Sequence, residues 1–242
     1  DHTLRSLEHL NTFYNLIEKV DNDSVDLFFI AGDLFDGETL TYHTVETIMK
    51  KLAKLSADVF IIIGNHDTFL HKKAYQSLLK ASNIHIFTKD NHKVSLEPVD
   101  VYGFNTSDFN QETLEKITLN KDKKNVLLLH GDIKNKEDAH YLTSLETLSK
   151  LSFDYIGLGH IHKHAFLKPH IAYSGNLEPL DFSETEAKGY IYGDLNQKNY
   201  TFIPFSQRRF IKTTLELNEQ DILTTETQIL EAINQASRAK DF

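Results

Sequence analysis

The chain has 242 residues, with 26 lysines and arginines against 35 aspartates and glutamates, 13 histidines and no cysteine. The net formal charge of −9 excludes a protein that wraps a polyanion through global positive charge, and the lack of cysteine excludes disulfide frameworks, thiolate metal sites and cysteine nucleophiles. No apolar run approaches the roughly 18 residues that span a bilayer, so the expectation is a cytoplasmic protein with no membrane contact, whose metal sites would use imidazole, carboxylate and amide ligands.

Leu4, Leu7, Leu10, Phe13, Tyr14 and Ile17 recur at helical spacing and predict an opening helix. Residues 27–31 then read as a buried strand that runs into Gly32-Asp33. After a turn at Gly37, the spacing of Val45, Ile48, Met49, Leu52 and Leu55 predicts a second helix, and residues 59–63 form a second strand that ends in Gly64-Asn65-His66-Asp67. Between Ile84 and Phe104, and again between Ile171 and Pro204, the apolar runs are shorter and broken, which predicts hairpins and mixed-sheet strands. Two further buried strands, at 126–129 and 155–158, lead into His130-Gly131-Asp132 and Gly159-His160-Ile161-His162. Beyond Pro204, Ile222, Leu223, Ile229, Leu230 and Ile233 predict one amphipathic helix. The alternation predicts a layered α/β sandwich.

Each of the four strongest strands thus ends in a polar cluster that contains a glycine. In an open α/β sheet the carboxyl ends of the strands line one crevice, so clusters remote in sequence can meet there. Imidazole with hard oxygen ligands and no sulfur suits manganese, iron or zinc. Asp33 has two oxygens and can bridge two ions, and Asn65 supplies a neutral oxygen. Asp33, Asn65, His130, His160 and His162 bring one negative charge against about four positive charges from two divalent ions, so an acidic protein can still hold a locally cationic pocket. In a regular strand His160 and His162 would share a face, whereas a turn after Leu158 would spread them over adjacent ions.

Taken together, Gly32-Asp33-x-x-Asp36, Gly64-Asn65-His66-Asp67, His130 and Gly159-His160-x-His162 resemble the motifs of the calcineurin-like metallophosphoesterases. More narrowly, AGDLFD at 31–36, LLHGD at 128–132, and Tyr173-Ser174-Gly175-Asn176 followed by Glu184 and Lys188-Gly189 are similar to DNA exonucleases of the SbcD and YhaO type, over residues 4–217. The resemblance implies a four-layer α/β/β/α sandwich of two mixed sheets, with a nuclease domain over 1–205 and the start of a capping domain over 206–242. It implies two divalent ions, manganese first with iron or zinc as alternatives. Asp33 would bridge them, Asn65, His130 and His160 would hold one, His162 would hold the other, and His66 would be catalytic. Asp67 and Asp132 are candidates to orient imidazoles. Asp36 either joins them or caps the following helical segment. His164 reads as a solvated surface residue rather than a substrate contact, Lys121, Lys123 and Lys124 read as a solvated turn rather than a phosphate contact, and Arg208 and Arg209 read as packing residues by default.

The activity implied is metal-dependent hydrolysis of DNA by a 3′ to 5′ exonuclease in DNA repair, with an SbcC-like coiled-coil ATPase as partner and a homodimer as assembly. A small-molecule phosphodiesterase or phosphatase, and a non-catalytic scaffold, are the alternatives on the same fold. The family's first motif is an Asp-x-His that closes its opening strand. Ahead of the first helix this sequence has only Asp1 and His2, which are adjacent. The expectation is therefore that the first strand lies upstream, and that the residues given hold one ion well and a second one weakly, with little nuclease activity.

Overall fold

The structure is a computed structural model that describes residues 2–35, 41–67, 81–215 and 222–238. Asp36, Gly37 and His71 lie outside the described residues.

The chain opens with helix α1 (His2–Asn22) and strand β1 (Leu27–Ala31), followed by α2 (Tyr42–Leu52), β2 (Asp58–Ile62) and β3 (Ile84–Ile86). These three strands pair in the order β1-β2-β3, all parallel. Next come β4 (Lys93–Ser95), β5 (Val99–Phe104), α3 (Gln111–Glu115), β6 (Lys124–His130), α4 (Leu145–Lys150), β7 (Tyr155–Gly159), β8 (Ala165–Lys168) and β9 (Ile171–Tyr173). They build a sheet of order β4-β5-β6-β7-β9-β8, in which β5, β6, β7 and β9 are parallel and the two edge strands antiparallel. A hairpin of β10 (Gly189–Asp194) and β11 (Asn199–Pro204) and the helix α5 (Ile222–Arg238) complete the described chain.

The period-2 alternation of side chains explains why these strands stack as two sheets. In β1 and β2, Ile30, Val59 and Ile61 face α1 and α2, where they meet Leu16, Ile17, Val20, Val45, Ile48, Met49 and Leu52. Their neighbours Phe29, Phe60 and Ile62 face the other way, onto Val101 of β5, Val126 and Leu128 of β6, and Tyr155 of β7. The opposite face of the second sheet, Tyr102, Phe104, Leu127, Leu129, Ile156 and Leu158, is covered by Leu114 of α3 and Leu148 of α4. The result is the expected four-layer α/β/β/α sandwich, with three apolar interfaces between its layers.

Three details depart from the sequence reading. The first sheet is wholly parallel among the described residues: β3 pairs with β2 rather than folding into a hairpin. Its three residues are too few for alternation to show which sheet they join. The apolar stripe of α1 is buried only from its middle onward, since Leu4 and Leu7 are 60% and 50% exposed. Ile229, Leu230 and Ile233 of α5 are likewise exposed.

Phe60 is fully buried between the sheets, against Phe29 at 5.5 Å and Phe87 at 6.4 Å between ring centroids. Phe60→Ala is expected to cost about 3–5 kcal/mol of unfolding free energy in urea titrations, because the packed interface cannot collapse onto the cavity.

Candidate metal centre

The four polar clusters converge where the two sheets touch at their carboxyl ends. Contact there is close enough to dictate sequence. A Cβ on Gly159 would lie 1.8 Å from the Ala31 carbonyl oxygen, so only glycine lets β7 cross the end of β1. Immediately beyond the strands the backbone turns into the left-handed region, at φ +82° for Gly32, +50° for Asp33 and +87° for His160. For the two non-glycine residues that conformation costs on the order of 1 kcal/mol each, and the surrounding contacts hold it.

His130, at the end of β6, is almost fully buried, and its Nδ1 lies 2.7 Å from the Ala31 carbonyl. A carbonyl can only accept, so Nδ1 carries a proton, which leaves Nε2 as the ring atom that can face a metal. That Nε2 is 3.0 Å from Asp33 Oδ2 and 3.1 Å from Asn65 Oδ1. Three lone-pair atoms facing one another repel unless a proton or a cation lies among them. Ligands about 2.1 Å from one ion and at right angles to each other lie about 3 Å apart, so the spacing suits a divalent metal. His160 joins the group: Asp33, His130 and His160 each offer a ligand atom within 4.8 Å of the others. The donor set therefore fits a divalent ion.

The electrostatics agree. Burial raises the Asp33 carboxyl, but the hydrogen bond and charge of His130 and the His66 N–H, at 2.8 Å from Oδ1, outweigh it and hold the group below its ordinary value. Burial first, and then the neighbouring His130, lower His160 and keep its ring neutral. Ionised carboxylate and neutral imidazole are the forms that ligate.

His162 stands apart from that group. Its side chain is 48% exposed, and its Nδ1 is 2.8 Å from Glu184 Oε1. His66 is exposed, with its backbone N–H on the Asp33 carboxylate. Asp67 is fully buried and accepts backbone N–H groups from Gly64 at 3.1 Å, Leu34 at 3.3 Å and Phe35 at 2.8 Å. It thus ties the Asp33 loop to the Asn65 loop rather than orienting an imidazole. Asp132 likewise accepts from the backbone of Asn135 at 3.0 Å and of Lys134, which folds the loop after β6. His164 is not the solvated residue expected, because its ring stacks on Phe202 with centroids 3.7 Å apart. Lys123 is engaged with Glu97 at 2.7 Å, and Arg208 with Glu8.

Two residues that the sequence reading missed border the centre. Asp138 Oδ1 lies 3.7 Å from His160 Nε2, and the His140 ring is 5.1 Å from that of His160. The loop that carries them is pinned by Tyr173, whose hydroxyl donates to Gly131 O at 2.9 Å and accepts from Ile133 N at 3.2 Å. The signal available was the Asp138-x-His140 spacing close after His130.

Glu184 makes stability depend on pH. Burial raises its carboxyl, but the Leu180 N–H, Asn176, Lys188 and His162 pull it from its ordinary 4.5 down to about 2. A folded-state value below the unfolded one adds stability that is present above pH 4.5 and is lost as pH falls towards 2. Thermal melts across that window are expected to show a slope that Glu184→Gln reduces.

Comparison with known proteins agrees with this geometry. A family model for calcineurin-like phosphoesterases matches residues 6–164. YhaO of Bacillus subtilis (strain 168), an uncharacterized metallophosphoesterase, is 25% identical over 242 residues, covering 90% of this chain and 57% of the relative. The chain thus spans little more than half the length of that relative. The crystal structure of TT1561 of Thermus thermophilus is similar with a TM-score of 0.52 at 16% identity, over 81% of this chain and 92% of that one. Another solved structure gives 0.55 at 14% identity, over 82% of this chain and 95% of the other. Likeness at such low identity shows a shared fold. From the family match, the fold and the carboxylate–amide–imidazole cluster at the strand ends, the chain belongs to the calcineurin-like phosphoesterases, a family that binds divalent metals.

Proposed function

We propose that this chain carries the catalytic centre of a metal-dependent phosphodiesterase acting on DNA, as a 3′ to 5′ exonuclease that uses two manganese ions. The observation that carries the phosphoesterase part is the convergence of Asp33 Oδ2 and Asn65 Oδ1 on His130 Nε2, at 3.0 and 3.1 Å, with His160 beside them. Asp33, Asn65, His130 and His160 would hold one ion; Asp33 and His162 would contribute to the other. Bound divalent ions supply charge neutralisation at the phosphate and a water acidic enough to be a nucleophile near neutral pH.

The chain's own residues supply the rest. Asp33, anchored by the His66 N–H, fixes the spacing of the ligands. The exposed His66 ring is reachable by substrate and would give a proton to the leaving oxygen or offset its charge. The exonuclease reading is supported by the segment from Tyr173 to Gly189, which carries the pattern of the SbcD and YhaO type. By the same likeness, an SbcC-like ATPase and a second copy of the chain are the proposed partners. A small-molecule phosphodiesterase is the second reading, because the ligand set specifies phosphoester chemistry without naming the alcohol.

The test sets linear DNA with defined ends beside bis-p-nitrophenyl phosphate, both in manganese. Nucleotide release from 3′ ends is the expected outcome, slow for residues 1–242 alone because Asp33 and His162 hold the second ion weakly. Hydrolysis of the small diester with DNA left intact would replace the nuclease reading by the second one. Under the same conditions His66→Gln is expected to retain metal, by elemental analysis, and to lose on the order of 10²–10⁴ in turnover. In calorimetric metal titrations Asp33→Ala should lose more binding than His162→Ala, because the carboxylate serves both ions; equal losses would remove its bridging role.

A further inference from the structure

Lys188 is a lysine with 1% of its side chain exposed, a location that is costly unless every ammonium proton is satisfied. Its Nζ donates to the His162 carbonyl at 2.9 Å and meets Glu186 Oε1 at 2.8 Å and Glu184 Oε2 at 3.0 Å. Two of these contacts converge on a single residue. Lys188 grips the main chain of His162 directly, while Glu184, which it also holds, binds the His162 ring.

Glu184 is fixed for that task. Its Oε2 accepts from Leu180 N at 3.0 Å and Asn176 Nδ2 at 3.1 Å as well as from Lys188, which leaves Oε1 aimed at His162 Nδ1, 2.8 Å away. The His162 carbonyl also accepts from Asn176 N at 3.3 Å. An ionised carboxylate cannot donate, so the proton of the neutral ring sits on Nδ1. We propose that Glu184 and Lys188 form a latch that fixes the ring and tautomer of His162, leaving Nε2 as its one coordinating atom. The latch does for His162 what the Ala31 carbonyl does for His130, with a charged acceptor in place of a neutral one. Both residues are positioning residues, and the inference rests on the reading of His162 as a metal ligand.

The experiment has two arms. In the metal-free protein, ¹⁵N–¹H correlation spectra of the histidine rings report the tautomer. His162 is expected with Nδ1 protonated and Nε2 bare in the unsubstituted chain, and shifted towards the Nε2–H form in Glu184→Ala. Glu184→Gln keeps an acceptor oxygen and is expected to retain the first tautomer, which leaves the test open if the alanine variant fails to fold. In the second arm, zinc titrations compare the unsubstituted protein, Glu184→Ala, His162→Ala and the double variant. Loss of the latch is expected to weaken binding by about 10–100-fold, with no further loss once His162 is gone. A His162 proton found on Nε2 in the unsubstituted chain overturns the latch. So does a Glu184→Ala loss that persists in the His162→Ala background. If His162→Ala alone leaves zinc binding unchanged, the ligand reading fails, and the tautomer arm still decides the latch separately.

Discussion

The centre depends on one close crossing, where the end of β1 in one sheet meets β6 and β7 in the other. The Ala31 carbonyl, the last of β1, is the partner of His130 Nδ1, 2.7 Å away. Move the sheets apart by the width of a methyl group at Gly159, and that bond, the tautomer of His130 and the spacing of the three lone-pair atoms all fail together. Packing between Phe60, Ile62, Val126 and Leu128 sets the distance between the sheets, so the apolar interface is also what positions the ligands.

Polar support around the centre is layered in the same sense. Among the described residues Asp67 binds no imidazole; its buried carboxylate holds three backbone N–H groups from the two loops that carry Asp33 and Asn65. Burial raises its pKa, and the nearby Asp33 charge works in the same direction, against the lowering effect of those N–H groups. That arrangement trades stability for the position of the loops. The loop after β6 is held by Asp132 and Tyr173, and it sets Asp138 and His140 against His160.

Legibility from sequence followed the range of the interaction. Strands β1, β2, β6 and β7 were readable because burial on both faces makes them continuous apolar runs, and each ends in a glycine-containing polar cluster that no helix or hairpin needs. Asp33, Asn65, His130 and His160 followed from that rule and are the residues the fold brings together. Strand β3 could not be assigned to a sheet from sequence, because Ile84 and Ile86 pattern equally well in either. Leu4 and Leu7 have helical spacing, but spacing does not say how far along the helix its partner sheet extends. Glu184 and Lys188 were visible as a family-like pattern, yet their hold on His162 spans 22 residues between Glu184 and the ring, and burial of an ammonium cannot be read from composition. Asp138 and His140 were missed because their place depends on how one loop folds back on Asp132.

The central claim is that the carboxyl ends of strands from two sheets form a single divalent-ion site. Anomalous diffraction from crystals of the protein grown with manganese tests it most directly. The account predicts a peak within bonding distance, about 2.0–2.3 Å, of Asp33 Oδ2, Asn65 Oδ1, His130 Nε2 and a ring nitrogen of His160. Manganese bound only away from these four side chains, or the four closed on one another through hydrogen bonds with no anomalous signal among them, would contradict it.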